Sequence, residues 1–160
     1  MPIGAIGKPN KMLENTWLGP GYYFWTEEDF AHYWGEDCKI ENTGSCDIYR
    51  AHLDCRKCIN TVFDEQAYLF FKDMIVEAVA DFKNKRRKVT LDAVTRFLVD
   101  EVWITLDVEG IIYDDRPTNP KKKPRIYSEV PNLYYRKRIQ IVLFNSENIT
   151  NFALHLGDQK

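Results

Sequence analysis

The sequence predicts a single α+β domain, and three observations support this. The chain has 160 residues, of which 44% are hydrophobic and 14% aromatic, so one well-filled core is expected. Short β-prone runs are interspersed with two segments whose apolar residues recur at three- and four-residue steps, as in amphipathic helices. No repeat, low-complexity tract or long Pro/Gly/Ser linker divides the chain, so residues 1–160 are treated as one domain.

The N-terminal part of the chain predicts two strands and a short helix. Residues 3–6 are a short strand candidate, and Tyr22–Trp25 is an aromatic β-prone run entered through the Gly-Pro-Gly turn at residues 19–21. Thr26 is followed by an acidic residue three positions later, which predicts that it caps a helix over residues 27–34.

Two more strands and two helices follow along the chain. Residues 47–54 alternate enough to be a strand, and residues 59–63 predict a shorter extended piece. Asp64 predicts the N-cap of a long helix that the basic run at residues 83–88 ends, and Thr90 opens a second helix. One apolar face of the first helix is expected to pack on the sheet, and it consists of Ala67, Phe71, Met74, Ile75, Ala78, Val79 and Phe82. The second helix is expected to carry Leu91, Val94, Leu98 and Val102 on one face.

The last clear strands are residues 110–113 and 138–144. In the second of these, alternation puts Gln140 on the opposite face from Ile139 and Ile141, so we expect the isoleucines to face the core and Gln140 to face a cleft. Between the two strands lies a long polar loop at residues 114–137, and loops of that length are usually functional or mobile.

Charge and hydropathy exclude several classes of protein. Lys and Arg number 22 against 24 Asp and Glu, a formal net charge of -2, which removes a general electrostatic attraction to nucleic acid. No apolar run is long enough to cross a bilayer, and the N-terminus lacks the apolar core of a signal peptide. We therefore expect a soluble, cytoplasmic protein, and we interpret the basic runs at residues 85–88 and 121–123 as solvated surface.

Four cysteines lie within 21 residues, at Cys38, Cys46, Cys55 and Cys58. Only the last two have the two-residue gap of a zinc-knuckle arm, whereas seven residues separate the first two, so we expect no metal and free thiols. The sequence also has no P-loop, nucleotide-binding glycine motif, nucleophile elbow or zinc-protease motif.

An aromatic segment at residues 17–34 is the most distinctive part of the sequence. Glycines precede the strand Tyr22–Trp25, and the following helix carries further rings. Tyr23 and Tyr33 could sandwich a flat ligand, while plain packing of a strand against a helix is the alternative.

The same segment resembles the ADP-ribosyltransferase superfamily, on the poly(ADP-ribose) polymerase and diphtheria-toxin side. Gly21-Tyr22-Tyr23-Phe24, followed by Ala31-His32-Tyr33, is similar to its Gly-x-Tyr-Phe segment and Ala-x-Tyr helix. Residues 17–25 look like the Trp-Leu-Gly-x-Gly-x-Tyr-Phe-Trp run of small bacterial proteins of that type, and residues 138–144 look like their C-terminal His-Ile-Gln-Ile strand. The resemblance covers about residues 17–149.

This resemblance implies a split β-sandwich with small peripheral helices that binds NAD in a cleft between two sheets. Carried over to this chain, Gly21 allows close backbone approach, Tyr23 and Tyr33 clamp the nicotinamide, and Gln140 contacts the ribose. The implied catalytic residues are Tyr23 and Gln140, and the implied NAD-binding residues are Gly21, Tyr23 and Tyr33.

The chain departs from the superfamily pattern at two places. The strand at residues 3–6 lacks the His or Arg of the first motif, and Gln140 or Ile139 stands where an acidic residue is expected. A carboxylate offsets the positive charge that develops during glycosidic cleavage, whereas an amide can only hydrogen-bond.

Three hypotheses follow from the resemblance and these departures. The first is ADP-ribosyl transfer from NAD to a macromolecule held by the loop at residues 114–137. The second is a non-catalytic ligand-sensing or protein-interaction module on the same fold. The third is a zinc-stabilised interaction domain.

Overall fold

Seven strands form one hydrogen-bonded sheet in the computed structural model, which describes residues 3–5, 18–35, 46–115 and 137–159. The strands are β1 (Ile3–Ala5), β2 (Tyr22–Trp25), β3 (Cys46–Leu53), β4 (Cys58–Asn60), β5 (Gly110–Asp114), β6 (Ile139–Leu143) and β7 (Ile149–Gln159). Their order across the sheet is β4-β5-β6-β2-β1-β3-β7. With the helices, they confirm the predicted α+β class.

The helices are α1 (Glu28–Trp34), α2 (Glu65–Asn84) and α3 (Leu91–Phe97), and a π-helical stretch, Leu98–Trp103, continues α3. A short 3-10 turn, Ser146–Asn148, precedes β7. Strands β4 and β5 are parallel, and all other pairs are antiparallel. A parallel pair needs a long crossover connection, and α2 and α3 supply it.

Among the described residues, the two halves of the sheet meet at a single residue pair. Strands β2 and β6 are paired over four residues, whereas the described pairing of β1 with β2 is limited to Ile3 opposite Trp25. All the described strands nevertheless belong to this one sheet. The second sheet that the resemblance implies is not found among the described residues.

Alternation along β2 decides how the core is divided. Tyr23 and Trp25 share one face, where Tyr23 packs with Trp103 beneath α2 and α3, and Trp25 packs with Phe30 of α1. Phe24 points to the opposite face and packs in a separate cluster there. One face of the sheet therefore carries all three helices.

Two predicted helix starts are confirmed and one is wrong. The Asp64 side chain accepts from the Ala67 N–H, and the Thr90 hydroxyl accepts from the Ala93 N–H. Thr26 does not cap α1, because its hydroxyl donates to the Ile139 carbonyl of the neighbouring strand. The N-cap position of α1 is taken by Glu27, with no side-chain cap bond.

Three further expectations are corrected by the structure. Strand β4 ends at Asn60, whose side chain accepts from the N–H groups of Val62 and Phe63 and turns the chain. Leu91, predicted on the apolar face of the second helix with Val94 and Leu98, is 60% exposed, because it is the first residue of α3. Strand β7 was not predicted, and its ladder with β3 is interrupted by three register shifts that disrupt regular alternation.

Within the described ranges, no helix is both long and apolar enough to span a membrane.

Candidate functional site

Gln140 lies in the middle of the sheet rather than in an open cleft. It pairs with Trp25 on β2 and Tyr113 on β5, and only 7% of it is exposed. The Tyr113 hydroxyl donates a hydrogen bond to Gln140 Oε1. The prediction that Gln140 faces a cleft is therefore wrong, because the helix-bearing face of β6 is as well covered as the isoleucine face.

Tyr23 is also part of the core, with 7% exposure. Its hydroxyl donates to the Gly19 carbonyl at 2.7 Å, which ties β2 to the preceding turn. Gly21 also has a structural role, because a Cβ at this position would lie 2.4 Å from Val142 Cγ2. The absence of a side chain at Gly21 thus accommodates β6.

Tyr33 lies on α1 and is 55% exposed. The buried side of α1 consists of Phe30 and Ala31, which pack around Trp25 in a different cluster from that of Tyr23. The structure therefore does not bring Tyr23 and Tyr33 together in an open slot. The predicted tyrosine clamp is wrong, because the ring on β2 is enclosed beneath α2 and α3.

Arg138 covers the aromatic pair under α1. Its guanidinium carbon is 5.1 Å from the centre of the Trp25 ring and 5.7 Å from that of Phe30, in cation–π geometry. The same guanidinium forms a 3.0 Å ion pair with Asp115. Burial raises the pKa of Asp115, and the nearby positive charge of Arg138 opposes that rise. The face of Trp25 is thus occupied by a side chain of the protein itself.

A polar cluster centred on Glu28 joins α1 to β3 and β7, and it is not predicted by the sequence. Glu28 Oε1 lies 3.0 Å from His155 Nε2 and 3.6 Å from His32 Nε2, while Oε2 lies 3.5 Å from Arg50. The hydrogen bond from His155 is the main cause that lowers the pKa of Glu28. The histidines are 123 positions apart in sequence, so no local signal could have found this contact.

Tyr23, Tyr33 and Gln140 do not line any of three cavities that are formed by described residues. One, of about 230 Å³, lies between α2 and α3, and we call it the α2–α3 groove. Its lining is apolar except for Thr95, whose hydroxyl donates to the Leu91 carbonyl. The lining residues are Leu18, Phe71, Ile75, Leu91, Thr95, Leu98, Trp103 and Ile111.

The connection between α2 and α3 is strongly basic and exposed. We call residues 83–88, Lys-Asn-Lys-Arg-Arg-Lys, the basic turn. Lys85 is paired with Asp81 at 2.9 Å, and Arg87 lies over a phenylalanine ring. Lys83, Arg86 and Lys88 have no ion-pair partner among the described residues. Three positive charges are therefore available within a few residues of Leu91.

No cluster of three or more His, Cys, Asp or Glu side chains that could hold a metal occurs in the described ranges. Cys55 and Cys58 are free thiols there. The side chains of Cys38 and Cys46 lie outside the described part of the chain.

Comparisons of this chain with protein-family models, with curated proteins and with solved structures gave no match. The resemblance to ADP-ribosyltransferases thus depends on the sequence motifs alone.

Proposed function

We propose that this chain is a non-catalytic protein-interaction domain whose α2–α3 groove binds an acidic, amphipathic helix of a partner protein. The observation that carries the proposal is the juxtaposition of an apolar groove with the basic turn. Leu91 links the two, because it lines the groove, is 60% exposed and follows the basic turn by three residues.

The size and chemistry of the groove favour apolar side chains as its occupants. About 230 Å³ is below the usual range for small-molecule sites, which is roughly 300–1,000 Å³, but it can hold a few side chains. Amphipathic helices commonly insert apolar anchors into such grooves between helices. Lys83, Arg86 and Lys88, for which the described part of the chain offers no ion-pair partner, would meet acidic residues beside those anchors, which contributes to orientation and association rate.

The residues implied for catalysis are engaged inside the protein. Tyr23 and Gln140 are each 7% exposed, and each makes an internal hydrogen bond. A nicotinamide ring could reach Tyr23 only after α2 and α3 moved away. This favours the module without turnover over the enzyme.

The test uses designed peptides with leucines at helical spacing and either glutamates or lysines on the flanks. We expect the glutamate peptide to bind and to shift the NMR methyl signals of Leu91 and Leu98. Leu91→Asp should weaken its affinity about tenfold or more, since truncating or charging an anchor commonly costs over 1 kcal/mol. Val76→Asp is the matched control, because Val76 is also 60% exposed on a helix but does not line the groove.

The charge of the basic turn is tested separately. The double variant Arg86→Glu, Lys88→Glu should bind the glutamate peptide more weakly and the lysine peptide more tightly than the wild type does. Both changes in affinity should be smaller at high salt. Equal affinity for both peptides, or binding of anionic vesicles in place of either, contradicts the proposal.

A second candidate is an NAD-binding, ADP-ribosyltransferase-like protein on a split β-sandwich. It is favoured by the junction between the two halves of the sheet, which among the described residues is one residue pair, and by the shared face of Tyr23 and Gln140. In that case the loop at residues 114–137, most of which lies outside the described ranges, would hold the macromolecular target.

Titration with NAD, followed by the fluorescence of Trp25 and Trp34, separates the two candidates. The interaction domain predicts no change at millimolar NAD and no nicotinamide release by the Gln140→Glu variant. A saturable signal that Tyr23→Ala abolishes in a folded variant would favour the NAD-binding candidate.

A further inference from the structure

Cys55 and Cys58 face each other across a tight turn between β3 and β4. The Cys58 N–H donates to the Cys55 carbonyl at 3.1 Å, which closes a four-residue turn. Both side chains are half-buried, and the two thiols are close enough for each to shift the pKa of the other. The ends of a β-turn lie within about 7 Å between Cα atoms, which overlaps the range that a disulfide spans.

The surroundings of the two thiols differ, and the difference assigns their roles. The neighbouring Cys58 thiol lowers the pKa of the Cys55 thiol, while the Cys55 thiol and burial raise the pKa of Cys58. Cys58 also lies against Gly110, where a Cβ would be 2.8 Å from its Sγ. Cys55 is therefore the better nucleophile, and Cys58 is the protected partner.

A charged cavity of about 350 Å³ borders this turn. It is lined by Asp54, Arg56, Lys57, Glu109 and Asn148. Arg56 and Lys57, the two residues between the cysteines, are exposed. Each is paired with an acidic side chain of the cavity wall: Arg56 binds Asp54, and Lys57 binds Glu109. The cavity wall thus carries charges of both signs, on residues next to Cys55 in sequence, and a small zwitterionic molecule could exchange partners with these ion pairs.

We propose that Cys55 and Cys58 form a redox-active dithiol that exchanges with small zwitterionic disulfides of the glutathione type. The Cys55 thiolate attacks one sulfur of the disulfide, forms a mixed disulfide and releases the other half as a thiolate. Cys58 then gives its proton to solvent, and its thiolate attacks Cys55 Sγ and expels the second half. The protein dithiol is oxidised by two electrons, and one small disulfide is reduced to two thiols.

Trypsin provides a direct test on the full chain. It cleaves after Arg56 and Lys57, so fragments 51–56 and 58–72 separate unless a Cys55–Cys58 disulfide joins them. After incubation with oxidised glutathione, mass spectrometry should find the joined pair, and dithiothreitol should abolish it. Cys38 and Cys46 lie in two other tryptic fragments, so mispairing is recognised by mass.

Single variants test the assigned roles, in a background with Cys38→Ser and Cys46→Ser. Cys58→Ser should accumulate the mixed disulfide of Cys55 with glutathione. Cys55→Ser should react with oxidised glutathione more slowly than Cys58→Ser, by about tenfold or more. Circular dichroism checks that both variants are folded. The proposal is overturned if the wild type gives no joined pair, if Cys55 pairs instead with Cys38 or Cys46, if the two variants react equally fast, or if the purified protein carries stoichiometric zinc on these thiols.

Discussion

At the scale of single residues, the polar side chains of Tyr23, Tyr113 and Gln140 are hydrogen-bonded inside the protein. Gln140 and Tyr113 form a buried pair, and Tyr23 is bound to the turn at Gly19. A buried polar atom that loses its partner costs about 1–3 kcal/mol, so these bonds favour the observed register. Residue types that suggested a ligand site are therefore explained here by the packing of the sheet.

Gly21→Ala should destabilise the protein by about 1–3 kcal/mol, because the new methyl group would overlap Val142 across the β2–β6 ladder. The measurement is the free energy of unfolding in urea. In a Val142→Ala background, which removes the overlapping methyl group, the same substitution should cost clearly less. Additive effects of the two changes would show that the close approach to Val142 is not the cause.

The ion pair of Asp54 with Arg56 predicts a pH dependence at acidic pH. Hydrogen bonds from Arg56 lower the pKa of Asp54 from its ordinary 3.8 to about 2. The pair thus contributes stability above about pH 4, and this contribution is lost as the pH falls from about 4 through 2. An NMR titration of the Asp54 carboxyl group should give the low value in the wild type. Arg56→Gln should return it towards 3.8, and an unchanged titration in that variant would contradict the assignment.

At the scale of elements, local capping signals account for α2 and α3 but not for α1. Asp64 and Thr90 each accept an N–H from the first turn of their helix. Thr26 has the right residue type in the right place, yet its hydroxyl bonds to β6. Helix α1 is held instead by the burial of Phe30 and Ala31, which are 1% and 0% exposed.

Thr90→Ala should therefore cost about 1 kcal/mol of stability, the usual loss for removing an N-cap. Thr90→Ser keeps the hydroxyl and should retain most of that stability. Thr26→Ala is the matched control and should cost less, because it removes no cap. Thermal or urea unfolding measures all three, and an equal loss for both alanine variants would contradict the distinction.

At the scale of the whole molecule, a single sheet connects the cluster under α1 with the cluster under α2 and α3. The same strands contribute residues to both clusters. On β2, for example, Tyr23 belongs to one cluster and Trp25, two positions later on the same face, belongs to the other. Neither cluster can be exposed without disturbing the strands that carry the other. The chain should therefore unfold as one cooperative unit.

Phe30→Ala tests this cooperativity, because it removes a fully buried ring from the α1 cluster and should cost about 3–5 kcal/mol. Far-UV circular dichroism, dominated by α2 and α3, and tryptophan fluorescence should shift to the same lower midpoint. Val76→Ala, at an exposed position, should stay within about 0.5 kcal/mol of the wild type. Two separate transitions in the Phe30 variant would contradict a single unit.

The sequence by itself determined the elements that depend on local signals. Strand β2, the strand cores at residues 110–113 and 139–143, the caps at Asp64 and Thr90, and the apolar face of α2 follow from β propensity, capping chemistry and helical spacing. These properties act over a few residues, so they can be recognised without knowing the fold.

Only the tertiary structure decided which polar and aromatic residues are accessible. Strand β7 pairs with β3 through bulges, so its alternation is irregular and its partner lies almost 100 residues away. The three helices cover β2 and β6 and thereby bury Tyr23 and Gln140. The same packing leaves Leu91 and Tyr33 exposed. Burial depends on contacts between segments that are distant in sequence, and these contacts cannot be predicted from residue type and local spacing.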